Sequence, residues 1–157
     1  MGQTSSHASR QPLMASREIS ECVEELQTKW PLIRDAFCKQ FPGWGLEISC
    51  SHRPVEEQFE LFKKGRREVN GEWIVDDAKS VVTYVDGKTK LSEHNHEPAR
   101  ALDVFVKKPD GSITWDLTEE PWKRLPEIVQ SFGLESGGTW QKFKDYPHIQ
   151  LSRAAWV

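Results

Sequence analysis

From Ser16 to Phe41 the apolar residues Ile19, Val23, Leu26, Trp30, Ile33 and Phe37 recur at three- and four-residue steps, the period of an amphipathic helix. Pro31 is expected to kink or divide it. "FPGWG" (41–45) is a turn cluster, and "LEISC" (46–50) alternates as a strand does. A second helix is expected over 54–66, with Pro54 in its first turn, acids early, bases late and Gly65 as its stop. "EWIVDD" (72–77) and "SVVTYV" (80–85) read as β, followed by a turn at Asp86-Gly87. "LDVFV" (102–106) reads as a buried strand, "SITWDL" (112–117) as its partner and "EEPWKRLPEIVQSFGL" (119–134) as a helix ended by Gly133. "GLESGGTW" is expected to be a loop and "HIQL" (148–151) a last short strand. Helices and strands in this order, without regular βαβ alternation, predict an α+β fold: a small antiparallel sheet flanked by helices.

Composition narrows the function classes. A chain of 157 residues, 37% hydrophobic with seven tryptophans, suits one domain with one core, here 16–157 behind a flexible Ser-rich leader at 1–15. The leader's "MGQTSS" superficially fits an N-myristoylation pattern at Gly2 with Ser6, but a disordered segment accounts for it with fewer assumptions, and Met14 offers an alternative start. The 21 basic and 24 acidic residues are mixed along the chain, so neither a nucleic-acid partner nor stable membrane association is expected. No stretch approaches the roughly 18 apolar residues of a membrane span, and no signal peptide is expected. Cys22, Cys38 and Cys50 form no C-x-x-C pair and read as buried small residues in a reducing compartment.

The candidate chemistry lies in "SEHNHEPARALDV" (92–104) and "KDYPH" (144–148). Two histidines and an acid suffice for a catalytic zinc, which keeps an open position for a water whose pKa falls to about 7. Asp103 opens an apolar strand, where an unpaired carboxylate is costly; a metal ion, backbone N–H groups or Arg100 could each satisfy it. His148, at a loop edge, could face a cleft or be an ordinary hydrogen-bonded histidine. The letters "HNH" at 94–96 lack the longer pattern of the nuclease motif of that name.

Taken together, "SCSHRPVEEQFELFKKGR" (49–66), "VVTYVDGKTKLSEHNHEPARALDV" (81–104), "PWKRLPEIV" (121–129), "GLESGGTW" (133–140) and "KFKDYPHIQL" (142–151) resemble the zinc peptidases that act as L-alanyl-D-glutamate endopeptidases and D-alanyl-D-alanine carboxypeptidases, phage endolysins among them. That family carries serine-x-histidine, alanine-x-aspartate and a late acid-x-x-histidine, matched here by Ser92-Glu93-His94, Ala101-Leu102-Asp103 and Asp145-Tyr146-Pro147-His148. The resemblance therefore implies His94, Asp103 and His148 as ligands of Zn2+ in a cleft on the sheet. Many members place six residues between histidine and aspartate, a count that would select His96. Members with a longer "HN…PxRAxD" loop have eight, and Asn95, Pro98, Arg100 and Ala101 match that form. Ala99 and Arg100 stand where many relatives have glycine or serine, so the loop's backbone shape is expected to differ.

The resemblance further implies Asp145 as general base and acid, and Arg53 as the arginine that holds a substrate carboxylate or an oxyanion. Ser92, Gln58 and Trp140 are expected to touch substrate or wall the cleft. The implied activity is hydrolysis of peptidoglycan stem peptides between L-alanine and D-glutamate by a monomeric endolysin held in the host cytoplasm until it is released to the wall. The alternatives are a D-alanyl-D-alanine carboxypeptidase or dipeptidase, and a zinc-binding interaction module without turnover.

Overall fold

Strand β4 (Ala101–Lys107) is the centre of the molecule, and its alternation decides where everything else lies. The computed structural model describes residues 15–152, so the expected leader and the Gly2 and Met14 readings lie outside the described residues, apart from Ala15. Leu102, Val104 and Val106 are buried on one face, which turns Asp103 and Phe105 to the other. β4 pairs antiparallel with β1 (Gly45–Cys50) on one side and with β7 (His148–Leu151) on the other. β6 (Leu134–Ser136) extends the sheet beyond β7, and a two-residue β5 (Ile113–Thr114) pairs with the end of β4.

Two helices cover the apolar face. α1 (Glu24–Gln40) buries Leu26, Trp30, Ile33 and Phe37, the stripe that the sequence spacing predicts. α3 (Glu120–Ser131) adds Trp122, Leu125, Ile128 and Val129, and with the inner side of β4 these make one core. α2 (Val55–Lys63) and the hairpin β2 (Arg66–Val69) and β3 (Glu72–Val75) stand outside it. Among the described residues no helix is long and apolar enough to cross a membrane.

Several elements differ from expectation for identifiable reasons. α1 begins at Glu24 rather than near Ser16 because Val23 N–H donates to Ala99 and Ala99 N–H donates to Glu21, which commits this backbone to the neighbouring loop. Pro31 lies inside α1 without dividing it. Segment 80–85 is not a strand: Arg66 donates to the Thr83 carbonyl at 3.0 Å and Gln58 to the Val85 carbonyl at 2.8 Å, so side chains take the places of a partner strand. The expected partner strand at 112–117 shortens to Ile113–Thr114, and "GLESGGTW" contains β6 as well as a turn.

Candidate metal centre and cleft

Antiparallel register writes the site onto the sheet's second face. Asp103 on β4 lies directly opposite His148 on β7, and opposed residues of an antiparallel pair project to the same side. The third expected ligand, His94, comes from the loop before β4. That loop is stapled to 51–53: Arg53 N–H donates to the His94 carbonyl, Asn95 Nδ2 to the Arg53 carbonyl, and Ser92 N–H to Asn95 Oδ1. His94 Nε2 and His148 Nδ1 each lie 3.3 Å from Asp103 Oδ1, and the two imidazoles meet edge to face.

The hydrogen bonds on the far side of each ring fix its tautomer. His94 Nδ1 lies 2.8 Å from the Ser51 carbonyl, which can only accept, so Nδ1 carries the proton and Nε2 of the neutral ring offers a lone pair. His148 Nε2 lies 2.8 Å from Gln150 Oε1, whose own amide nitrogen donates to Glu135 Oε2 at 3.4 Å; Nε2–H therefore donates and Nδ1 offers the lone pair. Two imidazole lone pairs thus face one carboxylate oxygen. Three acceptors turned on one another repel unless a cation lies among them, and His94 Nε2 is buried without a hydrogen bond among the described residues. This donor set of two imidazoles and a carboxylate fits a divalent metal ion.

Without a metal, a proton takes that place. Burial alone would push the His94 imidazole pKa down, but the adjacent Asp103 carboxylate outweighs it and raises the pKa to about 10. For Asp103, burial opposes ionisation, yet His94 and His148 together hold its carboxyl well below the usual range.

The donor atoms fall into two overlapping groups, Cys50, His94, Asp103 and Asp103, Asp145, His148, each within 4.8 Å. Cys50 is the member that sequence reasoning treats as a plain buried residue. Its sulfur lies 3.7 Å from Nδ1 of His94, the nitrogen already committed to Ser51, and so sits behind the ligand ring. His96, half-buried, joins neither group.

Asp145 reaches the rim by a close backbone approach. Its N–H donates to the Gly137 carbonyl at 2.9 Å and its own carbonyl accepts from His148 N–H at 3.0 Å. A Cβ at Gly137 would fall onto the Asp145 carbonyl oxygen, so only glycine permits this packing. Asp145 is exposed at the rim, yet desolvation of its carboxyl by the surrounding cleft and the nearby Asp103 charge raise its pKa against the opposing pull of His148, His94 and Arg53. A carboxyl raised in this way is a better proton carrier near neutrality than a fully solvated one.

Arg53 lies in the same cleft with Nη2 3.7 Å from Asp103 Oδ2 and Nη1 2.9 Å from Gln58 Oε1. Gln58 is buried, and its amide is consumed by Arg53, Val85 and Thr83, so it positions the arginine and the 83–85 lip. The Ser92 hydroxyl is buried at the cleft wall with no hydrogen-bond partner among the described residues. Trp140 packs its ring 5.1 Å from that of His148 and donates from Nε1 to Glu135. Glu135, Gln150, Gly137, Asn95 and Cys50 are site residues that sequence reasoning missed. The central pocket, about 310 Å³, is flanked by two others that share its walls and form its arms: one of about 870 Å³ beside Val82, Thr83 and Asp145, and one of about 430 Å³ beside Ser92 and His148.

The chain is similar to known proteins. Residues 86–151 match a family model described as D-alanyl-D-alanine carboxypeptidase. Over 116 residues the chain is 34% identical to the peptidoglycan L-alanyl-D-glutamate endopeptidase CwlK of Bacillus subtilis (strain 168), an alignment that takes in 69% of this chain and 62% of that protein. The chain thus spans somewhat less than two thirds of that relative. Its fold is that of the L-Ala D-Glu endopeptidase ChiX of Serratia marcescens, with a TM-score of 0.51 and 20% identity over 90% of this chain and 94% of that one. The segment matched by that family model, residues 86–151, holds His94, Asp103, Asp145 and His148, the four residues that the sequence resemblance singles out as ligands and base.

Proposed function

We propose that the protein is a zinc-dependent endopeptidase that hydrolyses peptidoglycan stem peptides between L-alanine and D-glutamate. The observation that carries the reading is the convergence of His94 Nε2 and His148 Nδ1 on Asp103, with Asp145 beside them, in a pocket flanked by two arms that share its walls. An endopeptidase must accommodate chain on both sides of the scissile bond, whereas a carboxypeptidase needs a closed end for the terminal carboxylate. The two arms favour the former. The similarity to CwlK, described as an L-alanyl-D-glutamate endopeptidase, points to the same bond.

His94, Asp103 and His148 would hold the zinc ion, which when bound supplies Lewis acidity to the scissile carbonyl and to a water molecule. Asp145 accepts the proton that the attacking water loses and returns it to the leaving amine, a task suited to its raised pKa and its place at the rim. Arg53, aimed by Gln58, turns positive charge toward the position where negative charge develops on the carbonyl oxygen. Trp140 and Ser92 wall the pocket around the peptide.

On this reading the protein is a bacteriolytic enzyme of the phage endolysin type, monomeric, without nucleic-acid or membrane partners, stored in the host cytoplasm and released to the wall. The three free thiols suit storage in a reducing compartment. Digestion of purified peptidoglycan, followed by mass analysis, tests the reaction. New N-terminal D-glutamate is expected, and it should disappear in Asp145→Asn while that variant still binds zinc. Release of terminal D-alanine alone would sink the endopeptidase reading in favour of the carboxypeptidase.

A further inference from the structure

Segments 81–85 and 140–145 face one another across the larger arm, which shares Val82, Thr83, Trp140 and Asp145 with the central pocket. On its rim the rings of Tyr84 and Phe143 lie 5.1 Å apart. They are 61% and 72% exposed, and Val82 beside them is 61% exposed. Presenting a phenyl ring to water forgoes burial that would otherwise stabilise the fold. Phe143 also has φ 54°, a left-handed conformation that a bulky side chain rarely adopts. Two separate costs fall on one residue, two positions before Asp145, and costs of this kind persist where a ligand is met. Tyr84 is held to its lip by Arg66, whose guanidinium carbon lies 5.3 Å from the ring centre and which bonds the Thr83 carbonyl.

The chemistry of the surface selects the occupant. Two exposed rings offer an apolar platform, and Gln141, Lys142 and Lys144 beside them offer hydrogen-bond donors. A pyranose ring has the complementary pair of properties, an apolar C–H face and a margin of hydroxyl and acetamido oxygens. Stem peptides offer small residues and charged ones, whose apolar part is a narrow methylene chain and not a ring face. The sugar that bears the stem is joined through a lactyl group to L-alanine, so about two residue lengths, roughly 7 Å, separate it from the scissile bond. The larger arm adjoins the central pocket through Val82, Thr83, Trp140 and Asp145, on the side where such a neighbour would lie. The smaller arm contains Lys90 and Glu93 and no strongly exposed ring.

We propose that the Tyr84–Phe143 groove is a saccharide subsite that takes the amino sugar carrying the stem peptide, an inference that rests on the peptidoglycan reading above. The test compares kcat/KM of the zinc-loaded protein on a disaccharide-linked stem peptide and on the same peptide bearing only an N-acetyl group. In the Tyr84→Ala/Phe143→Ala protein the preference for the sugar-bearing substrate should fall about tenfold, the range of one to two lost aromatic contacts. Phe143→Trp should retain it. An unchanged preference in the double variant, with the melting temperature preserved, would overturn the subsite. A second measurement needs no turnover: the N-acetylglucosaminyl-N-acetylmuramic acid disaccharide, titrated into the wild-type protein, should shift the ring signals of Tyr84 and Phe143. No shift at millimolar sugar overturns the proposal. Shifts in a protein that cleaves neither substrate would support the subsite and reject the peptidase reading.

Discussion

Gln150→Leu tests whether the second face of the sheet prepares His148 for a metal. Gln150 is buried, accepts from His148 Nε2–H at 2.8 Å and is anchored by donating to Glu135. Leucine keeps most of the volume and removes the acceptor. In the metal-free variant the His148 ring can shift its proton or turn to find another partner. With Nδ1 committed to the metal it cannot, so the unpaired Nε2–H penalises the loaded state. A buried donor left without a partner costs about 1–3 kcal/mol, and at about 1.4 kcal/mol per factor of ten this corresponds to roughly 5- to 150-fold in affinity. Loss of a partner behind a metal-bound histidine typically weakens binding by about 10–100-fold, which agrees. Competition with a chromophoric chelator at fixed pH reads the zinc affinity directly, while 15N shifts of the His148 ring in the metal-free protein report its tautomer. Wild-type affinity in a folded Gln150→Leu protein would refute the reasoning.

Gly137→Ala should displace the Asp145 loop, because the added methyl meets the Asp145 carbonyl and Cβ. Hydrolysis is expected to fall by at least about 100-fold, the scale of a lost general base, with zinc affinity within a few-fold of wild type; equal losses of both would show that the turn supports the ligands instead. The raised His94 pKa means that the folded metal-free protein holds a proton there at pH 7, which an unfolded chain with a histidine pKa of about 6.5 largely does not. This contribution to stability is fully present below about pH 6.5 and is lost as pH rises through about 10, so the melting temperature of the metal-free protein should fall across that window. Zinc uptake at pH 7 should accordingly release about one proton, measured by calorimetry in buffers of different ionisation enthalpy; zero release would contradict the His94–Asp103 pairing.

What the sequence could disclose follows from how local each signal is. The stripe Leu26, Trp30, Ile33, Phe37 and the apolar run of β4 are dictated by nearest-neighbour periodicity, and both lie where the pattern puts them. The candidate ligands were legible because imidazole and carboxylate are scarce chemistries and because the spacing resembles a known family. The β2–β3 hairpin was half read: Asn70-Gly71 is the usual two-residue turn, and both residues have positive φ, yet only the second strand was expected. Segment 80–85 alternates like a strand, but among the described residues no strand pairs with it, and single-chain periodicity carries no information about partners. Gly137 matters through its close approach to Asp145, and Glu135 through its register opposite Gln150, contacts that only the fold makes; Gln150 stands on the strand of His148 itself, but its amide is anchored by Glu135 on the next strand.

The same register links stability to metal chemistry. Strand side chains alternate with period two, so a one-residue slip of β4 against β7 would carry Asp103 toward the helices and bring Leu102 or Val104 out to the cleft. The packing of Leu102, Val104 and Val106 against α1 and α3 forbids that slip, and in doing so it aims Asp103 at His148. His148 inherits its other partner from the same rule, since Gln150 is two residues along β7 and opposite Glu135 on β6. Two of the three candidate ligands are therefore placed before any metal arrives, by a core that does not touch it. His94 differs: its loop is fixed by Asn95, Ser51 and Arg53 hydrogen bonds, and in the metal-free protein its ring is held over Asp103 by a proton. Metal binding to this site is then an exchange of one cation for another within a standing frame, which requires the sheet to be complete first and places the pH-sensitive step at His94.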